Sequence, residues 1–259
     1  MKLESEPPLE YVTSLLVDRQ GILWIGHKGG LAKYDGHVVS NLSERDGLPD
    51  NRVNCLMEDS KGRLWVGTWE GAACLEEGKW RIYGKKDGFI DDMVNVMLED
   101  SYGGLWFGSY AVPDGGVSYF GPQGWQTFSG PQFLPDNNIC DMIEDHKGRI
   151  WIATGFVNRG GASWCEINNG RPSRWGRVTK KDGLAGDKVR SIFEDKHGIL
   201  WFASEYDGVA RWKGAEKQVF TIKSGLSGNE VKDWLEDENG NLWLATDNGI
   251  TKLIAEGNF

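Results

Sequence analysis

The sequence contains no apolar run as long as a membrane span and no excess of positive charge. Its 29 lysine and arginine residues are outnumbered by 38 aspartates and glutamates, so the net charge is −9. A nucleic-acid partner requires a basic surface, and so does binding to an anionic membrane. We therefore expect no nucleic-acid partner and no insertion into a membrane.

Cysteine and histidine are scarce, with four of each in 259 residues. Cys55, Cys74, Cys140 and Cys165 form no Cys-x-x-Cys pair, so we expect free thiols rather than a metal site. The first ten residues, MKLESEPPLE, lack the apolar stretch of a signal peptide. We expect no metal and no other cofactor. The location is either the cytoplasm or, if the chain is an excised sensor region, the periplasm.

Glycine and tryptophan are abundant, with 36 and 13 residues, and much of this content belongs to one repeated pattern. The pattern Asp-x-x-Gly-x-(Leu/Ile)-Trp-apolar-(Gly/Ala) occurs six times. Its tryptophans are Trp24, Trp65, Trp106, Trp151, Trp201 and Trp243, at spacings of 41 to 50 residues. An Asp-x-x-Gly segment favours a tight turn, because the carboxylate accepts backbone N–H groups and glycine accepts positive φ.

Each repeat contains four short apolar runs separated by turns, and none has a sustained helical period. One four-stranded antiparallel sheet per repeat is typical of a β-propeller. We predict an all-β fold, a six-bladed β-propeller forming one domain over residues 1–259. The segment ending in Phe259 matches the segment ending in Trp80, and Met1 lies where a fourth strand would finish. We therefore expect the two termini to share one outer strand that closes the ring.

The segment GLPDNRVNCLMEDSKGRLWVGTWEGAACLE at residues 47–76 resembles the two-component regulator propeller repeat. The resemblance extends over essentially the whole chain in six copies, although alanine replaces the commoner glycine at Ala153, Ala203 and Ala245. It implies a β-propeller of the kind that commonly forms the extracytoplasmic sensing part of signalling proteins. Several such proteins respond to carbohydrates.

The loops that follow the tryptophan strands are the first candidate site, because propeller ligands usually bind at the loop-rich face. These loops are predicted at residues 27–30, 68–71, 109–116, 154–161, 204–208 and 246–249. Four of them carry an aromatic residue, and several carry charges. Aromatic faces suit sugars or cations, and charged groups can fix a polar ligand. The predicted ligand-binding residues are Trp69, Tyr110, Phe156, Tyr206, His27, Glu70, Arg159, Glu205, Asp207 and Asp247. The alternative is that these aromatics wedge between blades.

A second ring of polar residues follows the first apolar residue of each first strand. It comprises Thr13, Asn54, Asn95, Cys140, Arg190 and Lys232, and we predict that Asn54, Asn95, Arg190 and Lys232 line the central funnel. A glutamate beside the turn aspartate recurs in five of the six repeats. A feature repeated on nearly every blade indicates architecture rather than a catalytic site.

The function predicted from these features is a non-catalytic binding or sensor module for a glycan or another small polar ligand. A protein-interaction scaffold, with a protein partner on the aromatic loops, is the first alternative. The second is an enzyme like the streptogramin lyases, which use histidines, a glutamate and a metal on one face. Only His27 falls in a loop on that face, since His146 and His197 lie in the Asp-x-x-Gly turns and His37 in another turn.

Overall fold

The computed structural model describes residues 9, 11–111 and 113–254. The chain divides into two compact units, Met1–Thr127 and Phe128–Phe259, and each is described by itself. Every sheet is antiparallel, and its strands follow one another in chain order.

The first unit contains three four-stranded sheets. The first sheet comprises β1 (Val12–Val17), β2 (Leu23–His27), β3 (Gly30–Tyr34) and β4 (Val39–Leu42). The second comprises β5 (Val53–Glu58), β6 (Leu64–Thr68), β7 (Gly71–Glu76) and β8 (Lys79–Tyr83). The third comprises β9 (Val94–Glu99), β10 (Leu105–Ser109), β11 (Val117–Gly121) and β12 (Gly124–Phe128).

The second unit contains three further sheets. The fourth comprises β13 (Ile139–Glu144), β14 (Arg149–Phe156), β15 (Arg159–Ile167) and β16 (Pro172–Val178). The fifth comprises β17 (Val189–Glu194), β18 (Leu200–Ser204), β19 (Val209–Lys213) and β20 (Glu216–Phe220). The sixth has three strands among the described residues: β21 (Val231–Glu236), β22 (Leu242–Thr246) and β23 (Gly249–Leu253).

These sheets are the six blades of an all-β propeller, which confirms the predicted fold class. The predicted closing strand depends on Met1 and Phe259, which lie outside the described residues. That closure and the single domain over residues 1–259 stay predictions.

The repeated motif forms a turn in which one aspartate holds both the loop and the tryptophan. In the second blade, one Asp59 oxygen accepts the backbone N–H groups of Lys61 and Arg63. The other oxygen accepts the indole N–H of Trp65 at 2.9 Å. All six blades repeat this aspartate–indole bond, at 2.8 to 3.0 Å. This bond therefore fixes the orientation of the motif tryptophan from within its own blade.

Within each unit, the tryptophan strand of one blade packs on the next blade. The Trp65 ring lies 5.4 Å from Phe107 of the third blade, and Trp151 lies 5.3 Å from Phe202 of the fifth. These aromatic contacts are centred in cores of buried apolar side chains between successive blades. Burial of such large rings between sheets is the main favourable contribution to blade packing.

The recurrent glutamates join neighbouring blades at the turn end. Glu58 accepts the backbone N–H of Arg19 at 3.1 Å, and Glu236 accepts that of Lys196 at 2.9 Å. Glu99 accepts the hydroxyl of Ser60 at 2.7 Å. Each bond joins a glutamate to the turn of the preceding blade, so the architectural interpretation of these glutamates agrees with the contacts.

Short 3₁₀ helices, which the sequence analysis missed, occupy four of the connections between blades. They are Glu44–Asp46, Lys85–Asp87, Lys180–Asp182 and Ile222–Ser224. In the first, Asp46 accepts the backbone N–H of Ser43, and Gly47 ends the turn with φ of 105°. An Asp-Gly pair ends three of these helices and Ser224-Gly225 ends the fourth, because glycine adopts a positive φ without strain.

Candidate functional site

The turn between the second and third strands of a blade lies beside the connection that enters the same blade. In the second unit the backbone N–H of Glu205 donates to the carbonyl of Lys188, and that of Asp247 donates to the carbonyl of Glu230. Loop residues and blade connections therefore share one end of each sheet, as expected from the topology. We call this end the loop face.

The predicted funnel residues are all bulged residues of the first strands. In β5 the register shifts between Val53 and Cys55, so Asn54 has no partner on β6. The strand register skips one residue in the same way in the other blades, namely Thr13, Asn95, Cys140, Arg190 and Lys232. A bulge bends its strand and redirects the extra side chain. These six residues are therefore distinguished from the rest of the ladder by backbone geometry.

Two of the bulged residues join successive blades of the first unit. The Thr13 hydroxyl donates to the carbonyl of Val53 at 2.7 Å, and the Asn54 amide donates to the carbonyl of Val94 at 2.9 Å. In the second unit Arg190 reaches the next blade differently, by an ion pair of 2.8 Å with Glu230. Lys232 is exposed.

The best-organised part of the loop face in the first unit surrounds Trp69. Its indole N–H donates to the side-chain oxygen of Asn54 at 3.0 Å, so the bulge holds the ring. The Arg52 guanidinium lies over the ring, 4.4 Å from its centroid, within range of a cation–π contact. Trp69 is nevertheless 43% exposed, whereas the motif tryptophan Trp65 is 2% exposed.

Arg52 is fixed from below by the buried carboxylate of Asp50. The guanidinium Nε donates to both Asp50 oxygens, at 2.9 and 3.1 Å, and one terminal nitrogen also binds this carboxylate. This hydrogen bond holds the pKa of Asp50 below its ordinary value. Glu70 approaches Arg52 more loosely, at 3.7 Å, with a side chain that is 64% exposed. The result is an anchored cation stacked on an exposed indole, with the exposed carboxylate of Glu70 nearby.

His27 has a different environment from the other loop residues. It is buried, and its Nδ1 accepts the backbone N–H of Gly29 at 3.1 Å. Burial lowers the pKa of His27, while the Asn41 side chain approaches closely enough to oppose that shift partly. The Nε2 atom is buried without a partner at hydrogen-bonding distance. His27 thus replaces the turn-capping hydroxyl seen at Thr68, which accepts the N–H of Glu70.

Tyr110 is half-buried at the end of β10 and makes contacts within the structure. Asn95, the bulged residue of β9, also has a partner.

In the second unit, the predicted loop at residues 154–161 is a hairpin, which corrects the sequence prediction. β14 continues to Phe156 and pairs it with Arg159, the first residue of β15. Val157 takes a positive φ of 57° in the two-residue turn. Gly155 and Gly160 let the hairpin pack closely, since a Cβ on Gly155 would lie 2.8 Å from the Lys188 backbone.

Phe156 and Arg159 repeat the arrangement around Trp69 in a looser form. The Arg159 guanidinium lies 6.0 Å from the Phe156 ring and binds the buried carboxylate of Asp136 at 2.7 Å. Asp136 occupies the same place in its blade connection as Asp50 does. Each unit therefore presents an exposed aromatic ring beside an arginine anchored by a buried aspartate.

Glu205 is the centre of a second polar group in this unit. It binds the Lys188 ammonium at 2.5 Å and accepts the Tyr206 hydroxyl at 2.7 Å, and Arg190 lies 3.8 Å away. Burial alone would raise the pKa of Glu205, but the ammonium and hydroxyl lower it overall. Tyr206 is 57% exposed, so its ring is accessible beside a balanced set of charges.

Asp207 and Asp247 are bound to their own loops and blade connections. Asp207 accepts a weak hydroxyl contact from Ser204 at 3.5 Å and lies 3.7 Å from the Lys180 ammonium. The Asp247 carboxylate accepts the backbone N–H of Glu230 at 3.2 Å. These bonds give both residues an architectural task at the loop face.

The structure thus brings several of the predicted site residues together, and it adds residues that the sequence analysis did not name. Trp69, Glu70 and Asn54 form one group, and Phe156 pairs with Arg159. Sequence reasoning missed the anchoring residues Arg52, Asp50 and Asp136. For Asp50 and Arg52 the available signal was an acidic residue two positions before a basic one, whereas Asp136 is followed at that position by Asn138.

Neither a metal site nor a membrane-spanning helix occurs among the described residues. No group of three histidine, cysteine, aspartate or glutamate side chains in this part of the chain has the arrangement to hold a metal ion. Within the same residues, no helix is long and apolar enough to span a membrane.

The family model of the two component regulator propeller matches six segments, which together make up more than half of the chain. They are residues 6–29, 47–70, 88–111, 134–156, 183–206 and 225–248. Each segment contains the first strand and the tryptophan strand of one blade. No curated protein has a significant sequence match to the chain.

Several solved structures are similar to the chain. The extracellular domain assigned to the hybrid two component system BT3049 of B. thetaiotaomicron is 26% identical, with a TM-score of 0.77. The match covers 97% of this chain and 34% of that one, so the chain spans about a third of that domain.

Two more distant structures share the fold. PorZ of the type-IX secretion system of Porphyromonas gingivalis is 17% identical, with a TM-score of 0.71 over 95% of this chain and 39% of that one. A catalytically inactive virginiamycin B lyase from Staphylococcus aureus is 15% identical, with a TM-score of 0.70 over 96% and 83%. At these identities the likeness concerns the fold alone.

Proposed function

Because the chain belongs to the two component regulator propeller family, we propose that it is a non-catalytic ligand-binding module. Its place is the extracytoplasmic sensor region of a signalling protein, as in the extracellular domain of the two component system similar to it. The ligand is a small polar molecule, with a glycan as the leading class, and it binds at the loop face.

The observation that carries this proposal is the stack of Trp69, Arg52 and Asp50. A flat aromatic surface suits the apolar face of a sugar ring, and a fixed guanidinium suits its oxygen atoms. Asp50 holds Arg52 in place before any ligand arrives, which reduces the entropy lost on binding. Arg63 is anchored by the buried Asp59 over Trp65 in the same way, but that ring is only 2% exposed. The exposed ring of Trp69 is therefore the feature that favours recognition over a purely structural role.

Within the glycan class, the geometry favours a ligand that carries a carboxylate or a sulfate. Asp50 uses Nε and one hydrogen of one terminal nitrogen of Arg52. The donors that remain are the second hydrogen of that nitrogen, which lies 3.7 Å from Glu70, and the two hydrogens of the other terminal nitrogen. An acidic ligand would replace the exposed Glu70 as their partner. The Phe156 and Arg159 pair offers the same chemistry in the second unit.

The environment of His27 supports a non-catalytic function. Burial lowers the pKa of this histidine, and its Nδ1 is used by the backbone of Gly29. A general base must be able to reach the proton that it removes. His27 instead accepts a backbone N–H of its own turn, as the Thr68 hydroxyl does in the equivalent turn of the second blade.

The test is a binding screen with neutral and uronic-acid-containing oligosaccharides, followed by calorimetry on the best of them. We expect Trp69→Ala and Arg52→Ala each to weaken binding about tenfold or more, since a hydrogen bond to a charged group contributes roughly 1.5–3 kcal/mol. Glu70→Gln should strengthen binding of an acidic oligosaccharide and leave a neutral one unaffected.

Arg45→Ala is the matched control, because Arg45 is exposed in the neighbouring 3₁₀ helix and carries the same charge. It should change the affinity by less than about twofold. An oligosaccharide whose affinity is the same in the double variant Trp69→Ala/Arg52→Ala would show that the site is elsewhere. Failure of every oligosaccharide to bind would remove the glycan assignment.

A further inference from the structure

Two residues face each other at the loop-face end of a blade, where the first and second strands stop pairing. In the second blade, Val53 and Thr68 are the last pair of β5 and β6. Arg52 and Trp69 are the neighbours of that pair, so the antiparallel register places them opposite each other. The stacking of the guanidinium on the indole, at 4.4 Å, follows from these positions.

The first blade has the same two positions with the two roles exchanged. Val12 and His27 are the last pair of β1 and β2, so Tyr11 lies opposite Lys28. The Lys28 ammonium lies 3.9 Å from the centroid of the Tyr11 ring, within range of a cation–π contact. Here the aromatic residue precedes the first strand and the cation belongs to the loop. Tyr11 is 68% exposed, so its ring is accessible beside a cation.

The same positions of the fifth blade show that the fold does not require this chemistry. Val189 pairs with Ser204, and Lys188 therefore lies opposite Glu205. These two residues form an ion pair, with side chains that are only 10% and 18% exposed. The exposed ring and cation of the first blade are thus additional to what the blade needs at these positions.

The backbone also distinguishes Tyr11 from the residues around it. Its φ of 55° lies in the left-handed region, which a bulky residue adopts only with strain. Strained residues of this kind cluster at ligand clamps and other functional sites. Strain and an accessible aromatic ring therefore coincide at one residue of the loop face.

The Tyr11 pair lies next to the Trp69 stack in the same unit. The Thr13 hydroxyl donates to the carbonyl of Val53, the residue that directly follows Arg52. The path from Tyr11 to Arg52 through this bond is at most about 20 Å long. A ligand of a few linked sugar units can therefore contact both rings.

The cations of the two pairs differ in their partners. The Arg52 guanidinium is bound to the buried carboxylate of Asp50. Among the described residues, Lys28 has no carboxylate within ion-pair distance. The positive charge of Lys28 is therefore available to an anionic group of a ligand.

We propose that Tyr11 and Lys28 form a second sugar subsite beside the Trp69 stack, and that the ligand is a chain of linked sugar units with acidic groups. This inference rests on the proposed function, because it extends the site built around Trp69 and Arg52. The Tyr11 ring stacks on a second sugar unit, and the Lys28 ammonium binds the carboxylate or sulfate of that unit. A ligand that reaches both subsites binds more tightly than a single unit, since its second contact is intramolecular.

The test is the dependence of affinity on ligand length, measured by calorimetry. The probes are galacturonic, glucuronic and mannuronic acid oligomers of one, two and four units, and the affinity of the parent chain should rise with length. Tyr11→Ala should weaken binding of the longest oligomer about fivefold or more and leave the single unit, held by Trp69, unchanged. Tyr11→Phe keeps the ring and should bind as the parent chain does. Trp69→Ala should weaken binding at every length.

The charge of Lys28 is tested separately. Lys28→Ala should weaken binding of the acidic oligomers about threefold, with a smaller loss at high salt, and should not affect neutral galactose oligomers. Lys33→Ala is the matched control, because Lys33 lies over Trp24 of the same blade, 5.5 Å from the ring centroid. Tyr102→Ala is the control for the aromatic variant, since Tyr102 is an exposed tyrosine in a turn of the third blade. Neither control should change the affinity at any length.

The outcomes distinguish this proposal from the proposed function. Weaker binding in Trp69→Ala and Arg52→Ala, with no change in Tyr11→Ala and Lys28→Ala, would overturn the second subsite alone. An equal loss for the single unit and the longest oligomer in Tyr11→Ala would also overturn it, because the substitution would then act through the fold of the first blade. Absence of binding by every oligomer in the parent chain would remove both assignments.

Discussion

The indole nitrogen of Trp65 lies 2.9 Å from a carboxylate oxygen of Asp59, and both side chains are buried. The same carboxylate accepts two backbone N–H groups of its own turn. The Asp59 side chain therefore accepts hydrogen bonds both from the backbone of its turn and from Trp65, the largest residue of the blade core. Burial alone would raise the pKa of Asp59, but the bonds from Trp65 and Arg63 lower it overall.

Asp59→Ala should be strongly destabilising, because it leaves the buried indole N–H and the turn amides without acceptors. An unsatisfied buried donor costs about 1–3 kcal/mol, and here more than one is created. The urea midpoint of unfolding measures the effect. Asp237→Ala is the comparison, since its partner Trp243 is 37% exposed and water can replace the carboxylate. Equal decreases of the urea midpoint in the two variants would contradict the argument from burial.

His27 should make the first unit sensitive to mild acid. Burial lowers the folded-state pKa of His27 below the unfolded value of about 6.5. The stability that depends on neutral His27 is therefore present above pH 6.5 and is lost as the pH falls through the folded-state pKa. His27→Thr, which introduces the hydroxyl found at Thr68, should remove this pH dependence. Parallel curves of urea midpoint between pH 8 and 5 would show that His27 has no part in it.

Asp141 should have the opposite effect in the second unit. Burial raises the pKa of this half-buried carboxyl to about 6, although it accepts the backbone N–H groups of Met142 and Ile192. Its stabilising contribution is fully present below about pH 3.8, where it is protonated in both states, and is lost as the pH rises through 6. Between pH 4.5 and 8, the free energy of unfolding of Asp141→Asn should thus exceed that of the parent chain by roughly 1–3 kcal/mol. A difference that does not change with pH would contradict the raised pKa.

The cysteines should resist alkylation in the native protein. All four are thiols rather than disulfides, with Cys74 and Cys165 buried and the other two half-buried. Burial raises the pKa of Cys55, Cys74 and Cys140 to about 12, so almost no thiolate exists at pH 8. Iodoacetamide should label four thiols after denaturation and close to none before it. Lys61→Cys, at an exposed turn position, should add one thiol that reacts at once.

The blades could be predicted because the information for them is local. The Asp-x-x-Gly turn and the following Trp24 or Trp65 strand lie within a few residues, and repetition made the pattern unmistakable. The bulge at Asn54 could not be predicted in this way. A bulge is an extra residue relative to a partner strand, so one strand read alone does not show it.

The candidate site was predictable only in part, for a related reason. Trp69 could be identified because it lies outside the fixed pattern of the repeat. Its contacts with Arg52 and Asn54 join the loop to the start of β5, 15 residues earlier in the case of Asn54. The sequence predicts a loop around Phe156, because glycines are typical of turns. In the structure these glycines belong to a hairpin and permit close packing against Lys188.

The bonds between blades each span nearly one repeat. Thr13 and Asn54 reach partners 40 residues ahead, and the glutamate bonds to Arg19 and Lys196 span 39 and 40 residues. Each repeat thus carries the donor for the junction on one side and the acceptor for the junction on the other. Duplication or loss of one whole repeat within such a run would leave every remaining group with a partner. One sequence repeat is then both the unit that recombination duplicates and the unit that forms the contacts between blades. An array of this kind can therefore gain or lose repeats in evolution without a new kind of contact between blades.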